Sequence, residues 1–179
     1  MDLKTRIAQI QAIPGLIAHV GHGPTDAHGG SLRLVDEYFE AFASARNDDA
    51  YVEFMVQYSG LYLHDPQYAI VVDVFGFAGV SSLLMKRDTH FWVEGESRPD
   101  ENGFLIFCDG KFIRKRNANP MLDELIGAGF GFDLTGSRPR GVYRALDPDT
   151  KVLEMSYFCA SFDEWLQILI DTQGNLVSS

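Results

Sequence analysis

Apolar residues recur at three- and four-residue intervals through the first third of the chain, and at alternating positions through most of the rest. Leu3, Ile7 and Ile10 share one helical face, so the spacing predicts a helix over Asp2 to Ile13 that Pro14-Gly15 ends. A glycine- and histidine-rich link follows, IAHVGHGPTDAHGG. Ser31 then caps a second helix in which Leu32, Val35, Tyr38, Phe39 and Phe42 form the stripe. Asn47-Asp48-Asp49 breaks that helix and offers an N-cap to a third, lined by Tyr51, Phe54, Met55 and Tyr58. Ser59-Gly60 suits its end, because glycine takes the left-handed conformation at a helix C-terminus.

Beyond Gly60 the period drops to two. Leu61 to Leu63, Tyr68 to Phe75, Phe91 to Val93, Gly103 to Cys108 and Phe112-Ile113 read as short strands. His64-Asp65-Pro66 and the stretch from Arg98 to Gly103 are turn signals, and Asp109-Gly110 between LIFC and KFI is a hairpin cue. Asn119-Pro120 opens a short helical turn reaching Leu122 and Ile126. Phe130 to Leu134, Val142 to Leu146 and Val152 to Tyr157 are further strands, the last two joined by Asp147-Pro148-Asp149. A closing helix takes Ser161 as N-cap, carries Asp163 and Glu164 in its first turn, and turns Trp165, Leu166, Leu169 and Ile170 inward.

Helices toward both ends with antiparallel strands between them define an α+β class. No repeat, low-complexity tract or long linker divides residues 1–179, so a single domain is expected. With 46% hydrophobic and 22% charged residues, the composition is that of a folded chain rather than a disordered one. Cys108 and Cys159 lie within apolar stretches and read as reduced core residues. MDLKTRIAQIQAI has no basic region followed by an apolar run, so it is not expected to be a secretory signal, and the run Val74 to Met85 is too short to cross a bilayer. A cytoplasmic protein without a membrane partner is the expectation.

Charge changes the picture most. The formal net charge is -10, which repels nucleic acid and favours encounters with basic proteins. Acidic residues concentrate in the second and third helices: Asp36, Glu37, Glu40, Asp48, Asp49 and Glu53 stand against only Arg33 and Arg46. A solvated helix face explains most such runs. As a functional surface, these six residues are the candidate docking site for a basic partner.

Other chemistry is sparse. Gly127, Gly129 and Gly131 miss the GxGxxG spacing, and no Lys-Ser/Thr follows, so they mark the start of a glycine-rich strand or a bulge rather than a phosphate loop. His19, His22 and His28 have no neighbouring cysteine and match no zinc spacing. Solvated loop histidines are expected, with no metal and no cofactor. The run from Lys111 to Arg116 carries four positive charges, but the acidic balance of the whole weighs against nucleic-acid binding. His64, Asp65, Asp88 and His90 supply an alternative reading, a small-ligand or hydrolytic pocket in which a histidine is oriented by a carboxylate. No GxSxG elbow is present, and Cys108 has no local sign of an activated thiolate.

The order of elements resembles the SMI1/KNR4 family, also known as the SUKH superfamily. The likeness rests on YVEFMVQYSGLYL at 51–63, GFLIFCDG at 103–110, Phe132-Asp133, Gly141-Val142-Tyr143, Asp147-Pro148-Asp149, and the Ser161 to Leu166 helix start. It is clearest over residues 50–172, with 1–49 as an N-terminal helical part. The Leu-Pro common before the third helix is replaced by Arg46-Asn47-Asp48-Asp49, and 75–98 match poorly. The resemblance implies an SMI1/KNR4-like domain with no catalytic residues. Its function would be that of an immunity protein that binds and neutralises a cognate toxin of a polymorphic toxin system, or of a regulatory scaffold as in eukaryotic relatives. Family members can pair, and the aromatic content permits a homodimer.

Overall fold

The computed structural model describes residues 2–22, 40, 47–66, 70–75, 91–92, 103–114, 124–146 and 155–177. Eight strands form one antiparallel sheet: β1 (Ile17–His22), β2 (Tyr58–Asp65), β3 (Ile70–Phe75), β4 (Phe91–Trp92), β5 (Phe104–Arg114), β6 (Glu124–Asp133), β7 (Val142–Leu146) and β8 (Met155–Cys159). They neighbour one another in chain order, except that β4 shares an edge of β5 with β3. Three helices are described: α1 (Leu3–Gln11), α2 (Asp49–Gln57) and α3 (Phe162–Asp171). The class is α+β, as the change of period predicts. Among the described residues, no helix is long and apolar enough to cross a membrane.

Each helix begins on a side-chain cap. Asp2 Oδ1 accepts the Thr5 amide at 2.8 Å, Asp48 Oδ1 accepts the Tyr51 amide at 3.1 Å, and Ser161 Oγ accepts the Glu164 amide at 3.2 Å. Such caps satisfy N–H groups that the first turn leaves without partners. The apolar stripes then pack on one face of the sheet. Leu3, Ile7, Ile10, Tyr51, Phe54, Met55, Phe162, Trp165, Leu166 and Leu169 join Leu61, Leu63, Val72, Val74, Leu105, Phe107, Phe112, Phe130 and Phe132 in one core. Trp165 is its hub, meeting Phe107 and Phe130 edge-on at 5.2 and 5.6 Å and stacking on Phe162 at 5.8 Å. A smaller cluster of Phe104, Ile106, Tyr143, Ala145 and Met155 belongs to the opposite face.

The sheet departs from simple alternation at one point. Ile106 pairs with Gly131 and Cys108 with Phe130, which leaves Phe107 as an extra residue in β5. Before this bulge Leu105 and Phe107 face the helices; after it Cys108 and Phe112 do. One inserted residue inverts the parity of the strand. Opposite the bulge the backbones close in: a Cβ on Gly131 would lie 2.3 Å from the Leu105 carbonyl oxygen. The glycines at 127, 129 and 131 are thus paired residues inside β6, which begins at Glu124 and includes Ile126. The phosphate loop is excluded, and a helical turn does not reach Ile126.

Three further expectations are corrected. The link after Pro14 is in part a strand, since Ile17–His22 pairs with β2; Ala18 and Val20 pack on the core while Ile17 and His19 remain exposed. Only small or branched residues face inward there, so the alternation is weak in sequence. Asp109-Gly110 makes no hairpin, because β3 and β6 pair with it on both sides and tertiary pairing overrides local turn chemistry. Gly60 does not cap α2 but lies within β2; the helix passes directly into the strand at Tyr58, whose ring stacks on Phe54 at 5.5 Å. The second predicted helix, apart from Glu40, and the stretches 115–123 and 147–154 lie outside the described residues.

Candidate functional site

Three elements meet at one end of the sheet. There β6 stops at Asp133, and both α2 and α3 begin. Asp48 joins the two helices: while Oδ1 caps α2, Oδ2 accepts the Phe162 amide at 2.7 Å, in the first turn of α3. One carboxylate therefore serves two helix N-termini, each of which carries partial positive charge. Burial pushes the Asp48 carboxyl above the usual carboxylate range, against the opposing pull of the Phe162 and Tyr51 amides and of Arg140.

The turn between β6 and β7 forms the other wall. Asp133 Oδ1 accepts from the Thr135 amide at 3.1 Å and the Thr135 hydroxyl at 2.7 Å, and Oδ2 accepts from the Arg138 amide at 3.2 Å. The Ser137 amide donates to Thr135 Oγ1 at 3.1 Å, and the Tyr143 hydroxyl donates to the Pro139 carbonyl at 2.6 Å. Gly141 closes the turn at φ +153°, where a Cβ would lie 2.5 Å from the Cys159 carbonyl oxygen. Within this frame Arg138 lays its guanidinium over the rings of Phe104 and Tyr143, 5.1 and 5.8 Å from their centroids, and donates to the Met155 carbonyl at 3.4 Å. Arg140 is exposed.

Between the two walls lies a pocket of about 220 Å³, lined by Asn47, Asp48, Phe132, Asp133, Gly136, Arg138, Pro139, Arg140, Gly141 and Ala160. Sequence reasoning found Asp48 as a cap and missed the rest of this site. Its legible signal is Arg-Pro-Arg in a short turn between two strands, which holds two cations on a stiffened backbone.

The six acidic candidates divide. Asp36 and Glu37 lie outside the described residues. Glu40, Asp49 and Glu53 are exposed, and Glu53 accepts from Gln57 at 2.7 Å within α2. Asp48 is turned inward to its two helices. The helical layer carries further exposed acids at Asp2, Glu164 and Asp171, against an exposed Lys4. The other cation among its described residues, Arg6, is buried and grips Asp163 through two bonds of 2.9 and 3.0 Å, with Gln167 as a third partner. The Arg6 hydrogen bonds hold the Asp163 carboxyl below the usual range.

His64 and Asp65 are consecutive in β2, where side chains alternate between faces, and Asp88 and His90 lie outside the described residues. His19 sits across from Tyr62 on the exposed side of β1 and β2, with ring centroids 6.2 Å apart. Among the described residues, no group of three or more His, Cys, Asp or Glu side chains is placed to hold a metal ion; His28 is not among them. Lys111 is exposed on β5, Arg114 pairs with Glu124 in register, and Lys115 and Arg116 are not described. Both cysteines are buried. Burial pushes the Cys159 thiol up to about 12, far from thiolate chemistry. Compared with known proteins, the chain matches no family model, and no curated protein or solved structure is detectably similar.

Proposed function

We propose that this chain is a non-enzymatic protein-binding domain of the SUKH type, an immunity protein that acts in the cytoplasm to occupy and neutralise a basic toxin. The observation that carries this reading is the charge of the helical layer. Its outer surface holds Asp2, Asp49, Glu53, Glu164 and Asp171 exposed against Lys4, while Arg6 is withdrawn into a pair with Asp163; Glu40 is exposed as well. Some of these acids also serve the helices, because a negative charge in a first turn complements the helix dipole. Asp49 and Glu53 lie one turn apart on the exposed side of α2 and form the centre of the proposed docking surface.

The test is affinity capture of the tagged protein from its own cells at moderate salt. A stoichiometric basic partner that is toxic when expressed without this chain supports the reading. Association should slow as salt rises, since surface charges are screened beyond about 8–10 Å at physiological ionic strength. If the folded protein retains no partner, or retains one that is neither basic nor toxic, the reading fails.

A further inference from the structure

The pocket beside Asp48 is separate from the exposed acids of the helical layer, and its chemistry differs. We infer that it is a binding site for a single carboxylate group, carried by a small organic acid or by an acidic side chain of a protein partner, with the Arg140 guanidinium as its anchor.

Three features carry this inference. First, Arg140 lines the cavity and its charge acts on Asp48 from a distance, yet its guanidinium makes no hydrogen bond or ion pair among the described residues. The carboxylates beside it are already engaged: Asp48 caps two helices, and Asp133 holds the turn through Thr135 and Arg138. A guanidinium with its donor fork unspent recognises a planar carboxylate through two parallel hydrogen bonds.

Second, the backbone that carries the anchor is fixed before any ligand arrives. Pro139 stiffens the backbone between the two arginines, the Tyr143 hydroxyl holds its carbonyl, and Asp133 fixes the turn on the other side. Fixing a loop in advance removes an ordering cost from binding. Arg138, laid across Phe104 and Tyr143, adds positive charge to the lining.

Third, the lining sets the size and charge of the ligand. A volume of about 220 Å³ falls below the roughly 300–1,000 Å³ of sites that take drug-sized molecules. Phe132, Pro139 and Ala160 offer apolar surface to a short carbon body, and Asn47 adds a polar group. Asp48 and Asp133 remain in the wall, so a dianion such as phosphate meets more repulsion than a monoanion does. A monocarboxylate satisfies Arg140 at the least electrostatic cost.

Backbone amide NMR titration of the full chain with sodium butyrate, with the blocked amino acid N-acetyl-glutamyl amide, and with inorganic phosphate tests the assignment. Saturable shifts are expected at Asn47, Gly136, Arg140, Gly141 and Ala160 with both carboxylates. Arg140→Gln, at an exposed position, should weaken that binding at least tenfold with the remaining spectrum unchanged, whereas Lys111→Gln should titrate as the parent does. Tighter binding of butyrate assigns the site to free acids, and tighter binding of the blocked glutamate assigns it to a partner's side chain. Shifts no larger than chloride produces, phosphate binding more tightly than either carboxylate, or an Arg140→Gln protein that titrates like the parent would each overturn the inference.

Discussion

Asp48 illustrates how much one side chain can hold. Replacing it with alanine leaves the Tyr51 and Phe162 amides without their acceptor, and loss of an N-cap costs about 0.5–2 kcal/mol. Asp48→Ala should therefore lower the unfolding free energy by roughly 2 kcal/mol, with both helices affected. Asp48→Asn keeps one acceptor oxygen and should lose about half as much; urea unfolding of the two variants measures the difference. Equal losses would mean that only one of the two bonds contributes. The cysteines give a second test at this scale. Cys159 has its thiol pushed up to about 12 and Cys108 is fully buried, so Ellman's reagent at pH 8 should modify neither until the protein is unfolded.

At the scale of elements, two acids at the start of α3 respond to pH with opposite sign. Asp163 is held low by Arg6, so the folded state binds fewer protons there than the unfolded chain. Its contribution is present above the ordinary carboxylate range and lost as pH falls through its lowered value. Asp48 is pushed up by burial, so the folded state binds more protons. Its ionisation therefore removes stability as pH rises from about 4 through the raised value. Arg6→Gln should flatten the acid loss of stability, and Asp48→Asn should remove the decline on the other side. Denaturant midpoints between pH 2.5 and 6.5 resolve the two, and a change of the same sign in both variants would contradict the assignment. The elements also show where sequence was readable. Ser161 followed by Asp163 and Glu164 announces α3 through local chemistry, and the structure begins that helix one residue after the expected cap. The bulge at Phe107, the strand Ile17–His22 and the uninterrupted β5 depend on pairing with distant residues, to which a local pattern is blind. The pocket was hidden for the same reason: Asn47, Phe132, Arg140 and Ala160 are brought together only by the packing of three separate chain segments.

For the molecule as a whole, the division of charge between surfaces is the property that function would use. The net charge of -10 is displayed in part on the helical layer, while Arg140 stands at the end of the sheet. Reversing Asp49 and Glu53 together to lysine should slow association with a basic partner about tenfold or more at low salt, with little effect on dissociation, because remote charges act mainly on encounter rates. Stopped-flow association against ionic strength reads this directly, and an unchanged salt slope would move the docking surface away from α2. Lys111→Gln serves as the internal comparison, since it removes an exposed charge on β5 and leaves both the helical layer and the pocket intact.

The bond between Asp48 and Phe162 spans 114 residues and that between Arg6 and Asp163 spans 157. A ribosome delivers the early helices long before their partners. Until the segment beginning at Ser161 has emerged, Arg6 of α1 has no Asp163 to grip, Tyr51 and Phe54 of α2 have no Phe162 to pack on, and Asp48 has one helix to cap instead of two. Cooperative closure of this domain is therefore a late event in synthesis, and a nascent chain stalled before α3 would expose the apolar side of its helices to chaperones.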